Sequence, residues 1–452
     1  MEALPLASPG LAVRWRTLLG AIILVVLFIP IRRYTIPGGL PFELEPYRLL
    51  VALVVAGWIA SLLVDPRVRL RPSGLEPPLL LFAVAVFGSL LANADNLDAV
   101  TSIVVKRLMF FASFLLVFYL IVSVVRDGKD ADLLCRMLVG GGALLALLAA
   151  IESQTGYNLF NHLSGTIPLL ERSNAPDAIP RGTRLRAYAS AQHPIALGAA
   201  FAMLVPPAIY VARSSGRSRW WLAVGLLAVG IFSTVSRTAV VMLGVAVAVL
   251  LWLRPRDIGR FLLALVPALV AVQLALPGTF ETFKTTFFPS GGVVAEQQQL
   301  PGAHGSGRLA DIAPSLAEVA HRPVLGQGFG ARITVGPNAS SLLLDNQWLG
   351  TLLETGLVGF AGVLWLFLRF LRRASSAAKE DRSARGSLVA AIAASVFAYG
   401  VGMATYDAFF FVQVTFLLFI LLALGAAVLA PDGEREAAAL PAVPEGLAQA
   451  QR

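Results

Sequence analysis

The chain has 452 residues, of which 57% are hydrophobic and 14% are charged. Soluble chains carry about 25% charged residues, so this composition excludes an ordinary cytosolic enzyme. The net charge is +9, but most basic residues lie in short loops between apolar runs and no basic stripe carries base-stacking aromatic residues, so we expect no nucleic-acid partner.

Apolar runs long enough to cross a bilayer as helices recur along the whole chain. The first run lacks a small-residue cleavage site, because Ile31, Arg32 and Arg33 follow it, so we interpret it as an uncleaved span. The sequence therefore predicts an all-α, polytopic integral membrane protein with about 12 transmembrane helices. The predicted spans are 13–31, 47–64, 77–92, 108–125, 137–152, 194–212, 220–235, 238–253, 261–277, 348–371, 387–404 and 408–430.

Basic residues gather in alternate loops, which the positive-inside rule assigns to the cytoplasm. These loops carry Arg67, Arg69 and Arg71; Arg126 and Lys129; Arg213, Arg217 and Arg219; Arg254, Arg256 and Arg260; and Arg372, Arg373, Lys379, Arg382 and Arg385. Both termini are then cytoplasmic. We predict a single transmembrane catalytic domain over residues 1–430 and a disordered cytoplasmic tail over 431–452.

The two longest loops, 153–193 and 278–347, are predicted to be extracytoplasmic. Structureless loops longer than about 15 residues are usually functional, so we expect the chemistry there. In the second loop Ser306 is a candidate N-cap for a helix in which Leu309, Ile312, Leu316 and Val319 recur near helical spacing. Pro314 must then lie in the first turns of that helix or kink it.

Several arginines fall on the predicted outer side, where the positive-inside rule does not explain them. Arg181, Arg184 and Arg186 crowd the end of the first long loop, and Arg308 lies in the second. Arg237 occupies a connection of only a few residues between two spans. One interpretation is that Arg237 reaches out to lipid phosphate. The other is that several guanidinium groups bind one phosphorylated ligand, such as a pyrophosphate, through charge-assisted hydrogen bonds.

The histidines and the cysteine give little support for a metal or a disulfide. All four histidines, His162, His193, His304 and His321, are predicted to lie on the outer side without metal-ligand spacing, so we expect no metal. Cys135 is the only cysteine, which excludes an intramolecular disulfide. His193 directly precedes Pro194 at the start of a span, where it either caps the helix or contacts ligand.

Carboxylates at the membrane boundary are the other indication of function, because ionisable residues at such depth are costly. Asp345 and Asn346 stand just before the tenth span, and Glu354 lies within its outer half. Tyr406 and Asp407 occupy the turn between the last two spans. Asp345 is either the N-cap of the tenth span, a catalytic group, or both. We expect Glu354, and Asp407 likewise, to pair with an arginine.

Three stretches carry a family resemblance: Arg184 to Pro194, Ser236 to Thr238, and Asp345-Asn346 followed by Gly356 and Gly359. Over about residues 180–410 the chain resembles the bacterial O-antigen ligase and O-antigen polymerase superfamily. The resemblance implies a glycosyltransferase-C-like membrane enzyme of the bacterial inner membrane that uses no metal or cofactor. It implies an undecaprenyl-diphosphate-linked saccharide as donor and a glycan or glycolipid as acceptor. It also implies that membrane lipids surround the protein.

The resemblance also implies roles for individual residues. Arg186, Arg237 and Arg308, the last upstream of a Pro323 to Gly328 element, would bind the diphosphate, supported by Arg184, Asn346, Tyr406 and Asp407. Ligases of this family have a histidine before the Asn, where this chain has Asp345. An ordinary Asp pKa lies about 2.6 units below that of His, which weakens it as a base by about 3.5 kcal/mol. Three interpretations stay open: Asp345 is the base, Asp345 orients the acceptor, or His193 is the base.

The departure at Asp345 leaves ligation and repeat-unit polymerisation comparably supported. The alternative function is a transporter or flippase of anionic lipid-linked saccharides, which would hold ionisable groups near the membrane midplane and show internal repeats. Here these groups gather at one face, which favours the transferase. A purely structural or assembly protein is a third hypothesis, and it predicts that changing the outer arginines leaves glycan output unaltered.

Overall fold

The computed structural model describes most of the chain as helix. The described residues are 15–37, 44–65, 68–96, 100–173, 179–181, 184–255, 312–332 and 344–430, with single positions between 270 and 285. Arg308, Ser306, His304 and the predicted tail 431–452 lie outside them, as does nearly all of the predicted span 261–277.

Seven of the described helices are long and apolar enough to cross a membrane. They are α2 (Pro46–Val64), α4 (Thr101–Val124), α5 (Gly128–Thr155), α7 (Pro194–Ser215), α11 (Gln347–Glu380), α12 (Ala384–Gly402) and α13 (Val412–Leu429). Four apolar helices are shorter: α1 (Trp15–Phe28), α3 (Glu76–Ala92), α8 (Arg219–Ser233) and α9 (Arg237–Leu253). Each coincides with a predicted span, so the prediction of an all-α polytopic membrane protein is confirmed, whereas the count of 12 stays a prediction.

Some helices extend well beyond the apolar runs that predicted them. Helix α4 begins at Thr101 rather than at 108, and α5 begins at Gly128 rather than at 137. Both early turns are polar: Arg107 lies inside α4, and Asp127 caps α5 by accepting a hydrogen bond from the Asp130 N–H at 2.7 Å. Hydropathy identifies only the apolar part of a helix, the part that lies in the hydrocarbon region, so it does not detect polar turns at the helix ends.

The helices of the bundle differ in how much of their surface is buried by other helices. In α7 and in α13, 89% of the apolar window is buried, compared with 28% in α2. A helix that is apolar all round and buried lies in the interior of the bundle. The exposed leucines and valines of α2, such as Leu63 and Val64, suit a surface that contacts lipid tails.

A hydrogen bond between helices replaces one that proline removes from α7. Pro207 has no N–H, so it cannot donate to the carbonyl of Met203 four residues earlier. The Ser395 hydroxyl of α12 donates to this carbonyl at 2.6 Å, and Ser395 is fully buried. A neighbouring side chain thus satisfies the freed backbone group, as apolar surroundings require.

We expect Ser395→Ala to lower the free energy of unfolding by about 1–2 kcal/mol, because it leaves the Met203 carbonyl without this donor. Thermal unfolding of the purified protein in detergent measures the effect. Ser387→Ala is the control, since the Ser387 hydroxyl bonds only within its own helix turn, to the Ser383 carbonyl. Equal unfolding midpoints for both variants would contradict the role assigned to Ser395.

Three of the loops predicted to be cytoplasmic meet at one end of the bundle, here called the basic end. Arg373 Nη1 donates to the Ser73 carbonyl at 2.7 Å, and Arg254 donates to the Asp381 carbonyl. Arg385 Nη2 donates to the Val428 carbonyl at 2.9 Å. The first contact joins the end of α11 to the loop before α3, and the second joins the segment after α9 to the loop after α11. The third joins the start of α12 to the end of α13, the last helix among the described residues. That the basic end faces the cytoplasm stays a prediction of the charge rule.

The first predicted long loop, 153–193, is not structureless. It contains a 3-10 turn (Leu159–Asn161), a short helix α6 (Leu163–Thr166) and strands β2 (Glu171–Arg172), β3 (Ile179–Arg181) and β4 (Arg184–Arg186). Strand β2 pairs antiparallel with β1 (Tyr34–Thr35), which follows α1, and β3 pairs antiparallel with β4. The expectation of a loop without secondary structure is wrong here, because strands of two or three residues are too short to show a periodic pattern in the sequence.

Two buried charged side chains fix the end of this segment before it enters α7. The Glu152 carboxylate accepts hydrogen bonds from the N–H groups of Tyr188 and Ala189 at 3.2 and 2.8 Å. Arg33 donates to the carbonyls of Ala189 and Ala191 from the other side. Burial lowers the pKa of Arg33 to about 10, which still leaves it charged at neutral pH. The segment from Arg186 to His193 is therefore held in place from both sides.

Candidate functional site

The turn between α12 and α13, residues 403–411, organises the end of the bundle opposite the basic end. We call that end the site end. The Gln347 N–H at the start of α11 donates to the carbonyls of Met403 and Tyr406 at 2.7 and 3.1 Å. The Phe409 N–H donates back to Gln347 Oε1 at 2.7 Å. Asp345 and Asn346 directly precede Gln347, so they lie beside the 403–411 turn.

The same turn contacts the starts of two further helices. Thr405 Oγ1 donates to Thr238 Oγ1 at 3.0 Å, next to Arg237 at the start of α9. The Val412 N–H donates to Gln192 Oε1 at 3.0 Å, and the His193 ring lies 5.8 Å from the Phe411 ring. Three segments that are far apart in the sequence therefore meet at the 403–411 turn: Asp345-Asn346, Arg237-Thr238 and Gln192-His193.

Arg186 and Arg237 belong to segments that are bonded together. Arg186 is 8% exposed, and its Nε donates to the Thr234 carbonyl at 3.0 Å in the short connection between α8 and α9. Arg237 is the first residue of α9, after the N-cap Ser236. A cation at a helix N-terminus is unfavourable towards the helix dipole, so helix stability does not explain Arg237. Arg184 begins β4, and Arg308 lies outside the described residues.

Two of the predicted residues are helix caps. His193 Nδ1 accepts a hydrogen bond from the Ile195 N–H at 3.2 Å, so the capping interpretation of His193 is confirmed, while contact with ligand is not tested. Asn346 Oδ1 accepts from the N–H groups of Trp348 and Leu349 at 3.0 and 3.2 Å. The alternative that Asp345 is the N-cap is wrong, because the extended residue next to the helix is Asn346, one position later.

A cavity of about 50 Å³ opens beside the 403–411 turn. Its charged lining side chains are Arg32, Arg107, Glu354 and Asp407, and its remaining walls are mostly phenylalanine. Arg107 Nη1 and Glu354 Oε1 form an ion pair at 2.7 Å, so the expectation that Glu354 pairs with an arginine is confirmed. The Arg32 guanidinium carbon lies 4.5 Å from the centre of the Phe410 ring. The cavity thus combines an apolar wall with cations and carboxylates at one edge.

Asp407 is the carboxylate of this group whose protonation is most altered. Burial raises its pKa to about 6, and the negative charges of Glu354 and Asp345 act in the same direction. The positive charges of Arg107 and Arg332 oppose them. A carboxylate with a pKa near neutrality can both accept and release a proton at physiological pH. Asp407 is thus coupled electrostatically to Arg107 and Arg332, while its direct pairing with an arginine stays a prediction.

Sequence reasoning missed three arginines at the site end: Arg32, Arg107 and Arg332. Arg332 is 6% exposed, and burial lowers the pKa of Arg32. The feature that identified Arg237, an arginine on the predicted outer side, is shared by these three arginines. Arg32 follows the first span, Arg107 precedes the apolar part of the fourth, and Arg332 lies in the second long loop, all on the predicted outer side.

Helix α11 is interrupted at Gly356, and the Pro323 to Gly328 element fills the break. This element follows helix α10 (Ile312–Val319), in which Pro314 lies in the first turn as expected. Gly356 has φ 63° and ψ −165°. The Gln327 N–H donates to the Leu353 carbonyl at 2.9 Å, and the Leu357 N–H donates to the Pro323 carbonyl at 2.8 Å. The loop thereby satisfies backbone groups that the break would otherwise leave unbonded.

We expect Gly356→Ala to destabilise the site end. Its backbone conformation is accessible essentially to glycine alone and costs other residues about 1–3 kcal/mol, and a Cβ there would also overlap the Val324 carbonyl. Thermal unfolding in detergent measures the loss. Gly57→Ala in α2 is the control: no atom lies within 4 Å of its added Cβ, so stability should be unchanged or raised by about 0.5–1 kcal/mol. An unaltered midpoint for Gly356→Ala would contradict this account of the break.

Comparison with known proteins gives one family. Residues 222–364 match the family described as O-antigen ligase, which confirms the resemblance to the O-antigen ligase and polymerase superfamily. No curated protein matches the chain. The matched segment includes Arg237, Arg308, Asp345, Asn346 and Glu354, whereas Arg186, His193, Tyr406 and Asp407 lie outside it.

Proposed function

We propose that this protein, part of which matches the O-antigen ligase family, transfers a saccharide from an undecaprenyl-diphosphate carrier to a glycan or glycolipid acceptor. The family match and the apolar helices support, in general, an O-antigen ligase-like or polymerase-like function in a multi-pass membrane protein. The proposal adds the donor, the acceptor, the extracytoplasmic side and the cytoplasmic termini. The observation that supports it best is the meeting of arginine and carboxylate segments at the 403–411 turn.

The arginines suit the leaving group of this reaction. When the bond between the sugar and the diphosphate breaks, negative charge grows on the diphosphate, and prepositioned cations stabilise it. We assign this role to Arg186, which donates to a carbonyl of the α8–α9 connection, to Arg237, which directly follows that connection, and to Arg308. Because guanidinium groups carry the charge, the proposed reaction requires no metal ion.

The carboxylates suit the acceptor. An acceptor hydroxyl oxygen attacks the anomeric carbon, the bond to the diphosphate breaks, and the hydroxyl proton passes to a base. Asp407 lines the cavity, and its pKa of about 6 makes it a stronger base than an ordinary aspartate. We therefore assign the base to Asp407, with Asp345 orienting the acceptor. His193 would have to act through Nε2, because Nδ1 accepts the capping hydrogen bond.

The experiment uses the full-length protein in nanodiscs with an undecaprenyl-diphosphate oligosaccharide. Mass spectrometry follows both the glycosidic product and the released undecaprenyl diphosphate. A core glycolipid as acceptor tests ligation, and a second lipid-linked repeat unit tests polymerisation. We expect product with one of these acceptors and an unchanged rate in EDTA. Failure to form product with either acceptor, under conditions where the protein is folded, would contradict the proposal.

One observation favours the alternative of a transporter or flippase. Transporters commonly build their sites from interrupted helices, and α11 is interrupted at Gly356. The charged groups of the site nevertheless gather at one end of the described bundle rather than at its middle. Proteoliposomes loaded with a labelled lipid-linked saccharide distinguish the two functions. Movement of the label across the bilayer without bond formation would favour the transporter.

A further inference from the structure

A second cavity, of about 250 Å³, lies at the basic end of the bundle. It is enclosed by the last turns of α7, the end of α9 and the first turns of α12. Three guanidinium groups line it near the helix ends, those of Arg213, Arg254 and Arg382. Deeper along the helices its wall is apolar, with Pro206, Ile209 and Leu250.

The most buried of these cations, Arg254, is 3% exposed. It donates a hydrogen bond to the Asp381 carbonyl and lies against the first turn of α12, where a Cβ on Gly386 would come within 2.6 Å of its Nη2. Asp381 is the C-cap of α11, and the partial negative charge of that helix end favours a cation, so the buried Arg254 side chain is fixed at the wall of the cavity.

The described residues that line the cavity include three arginines and no carboxylate. Asp381 Oδ1 accepts from the Ser383 N–H at 2.7 Å and offsets part of the charge. Asp132 accepts from the Tyr210 hydroxyl at 3.1 Å, but it is already paired with Arg136 at 2.6 Å. The described lining of the cavity therefore carries a net positive charge.

We propose that this cavity binds the headgroup of an anionic phospholipid. The phosphodiester oxygens accept hydrogen bonds from the three guanidinium groups, and the acyl chains follow the apolar wall towards the membrane core. Basic cavities between membrane helices are suited to such headgroups. The apolar wall fits a lipid better than a free phosphate ion, which has no apolar part to place against it. This site is independent of the proposed transferase reaction.

The test compares two double variants that lose the same charge. Arg213→Gln with Arg382→Gln removes two guanidinium groups from the cavity, on exposed side chains. Arg217→Gln with Arg219→Gln, called the α7–α8 loop variant, removes two exposed arginines that do not line it, one in the neighbouring α7–α8 loop and one at the first residue of α8. Each full-length protein is reconstituted in nanodiscs of phosphatidylcholine, alone or mixed with phosphatidylglycerol. Native mass spectrometry counts retained phosphatidylglycerol, and thermal unfolding gives the midpoint.

We expect the wild type and the α7–α8 loop variant to retain phosphatidylglycerol and to unfold at a higher midpoint in its presence. The cavity variant should bind phosphatidylglycerol at least about tenfold more weakly than the wild type, because the variant loses two charge-assisted contacts. Equal losses in both variants would indicate general attraction to a negative surface and overturn the site. A midpoint increase with inorganic phosphate in phosphatidylcholine alone, equal to that with phosphatidylglycerol, would overturn the lipid in favour of a soluble anion.

Discussion

Replacing Arg237 with alanine is expected to lower the rate of saccharide transfer by about 100- to 1,000-fold, the loss typical of removing one stabilising group from a developing anion. Arg237 begins α9 beside Thr238, which the 403–411 turn contacts. The loss should fall mainly on kcat, because the charge on the diphosphate grows as the bond breaks. The rate of product formation in nanodiscs measures it.

Two further variants make this test specific. Arg237→Lys keeps the charge but not the paired donor geometry, so we expect it to recover only part of the rate. Arg172→Ala removes an exposed arginine of strand β2 on the same side of the bundle and should transfer at the wild-type rate. Wild-type activity in Arg237→Ala would remove Arg237 from the site, and an equal loss in Arg172→Ala would point to a general effect of charge.

The helices were predictable because the bilayer imposes a length and a polarity on each span. The ends of the helices were less so. Asn346 rather than Asp345 caps α11, and a shift of one residue changes which side chain is committed to the helix. Helix α4 runs past its apolar part and thereby carries Arg107 towards Glu354, which is 247 positions away in the sequence.

The chemistry of the site was predictable only in part, because arginine on the outer side is a local signal and its partners are not. Arg237 stands out from its neighbours in the sequence. The altered pKa of Asp407, by contrast, depends on burial and on charges from α4 and α11. The folding of 153–193 likewise depends on Arg33, which is 156 positions from Ala189. Neither arrangement has a pattern in the sequence.

Replacing Asp407 with asparagine is expected to lower transfer by about 100- to 10,000-fold, the range of general-base catalysis. The wild-type rate should depend on pH with a definite sign. Because the pKa is raised from 3.8 to about 6, the carboxylate is mostly ionised at pH 7 and mostly protonated at pH 5. The rate should therefore fall as pH drops through about 6, and this fall should be absent in Asp407→Asn.

Two neighbouring carboxylates provide the discriminating variants. The negative charge of Glu354 raises the pKa of Asp407, so Glu354→Gln should move the fall in rate to lower pH if Asp407 is the base. Asp345→Asn should move it in the same direction and retain it. If Asp345 were the base instead, Asp345→Asn would abolish the pH-dependent fall and Asp407→Asn would keep it. A fall in rate that survives in both asparagine variants would assign the proton to His193.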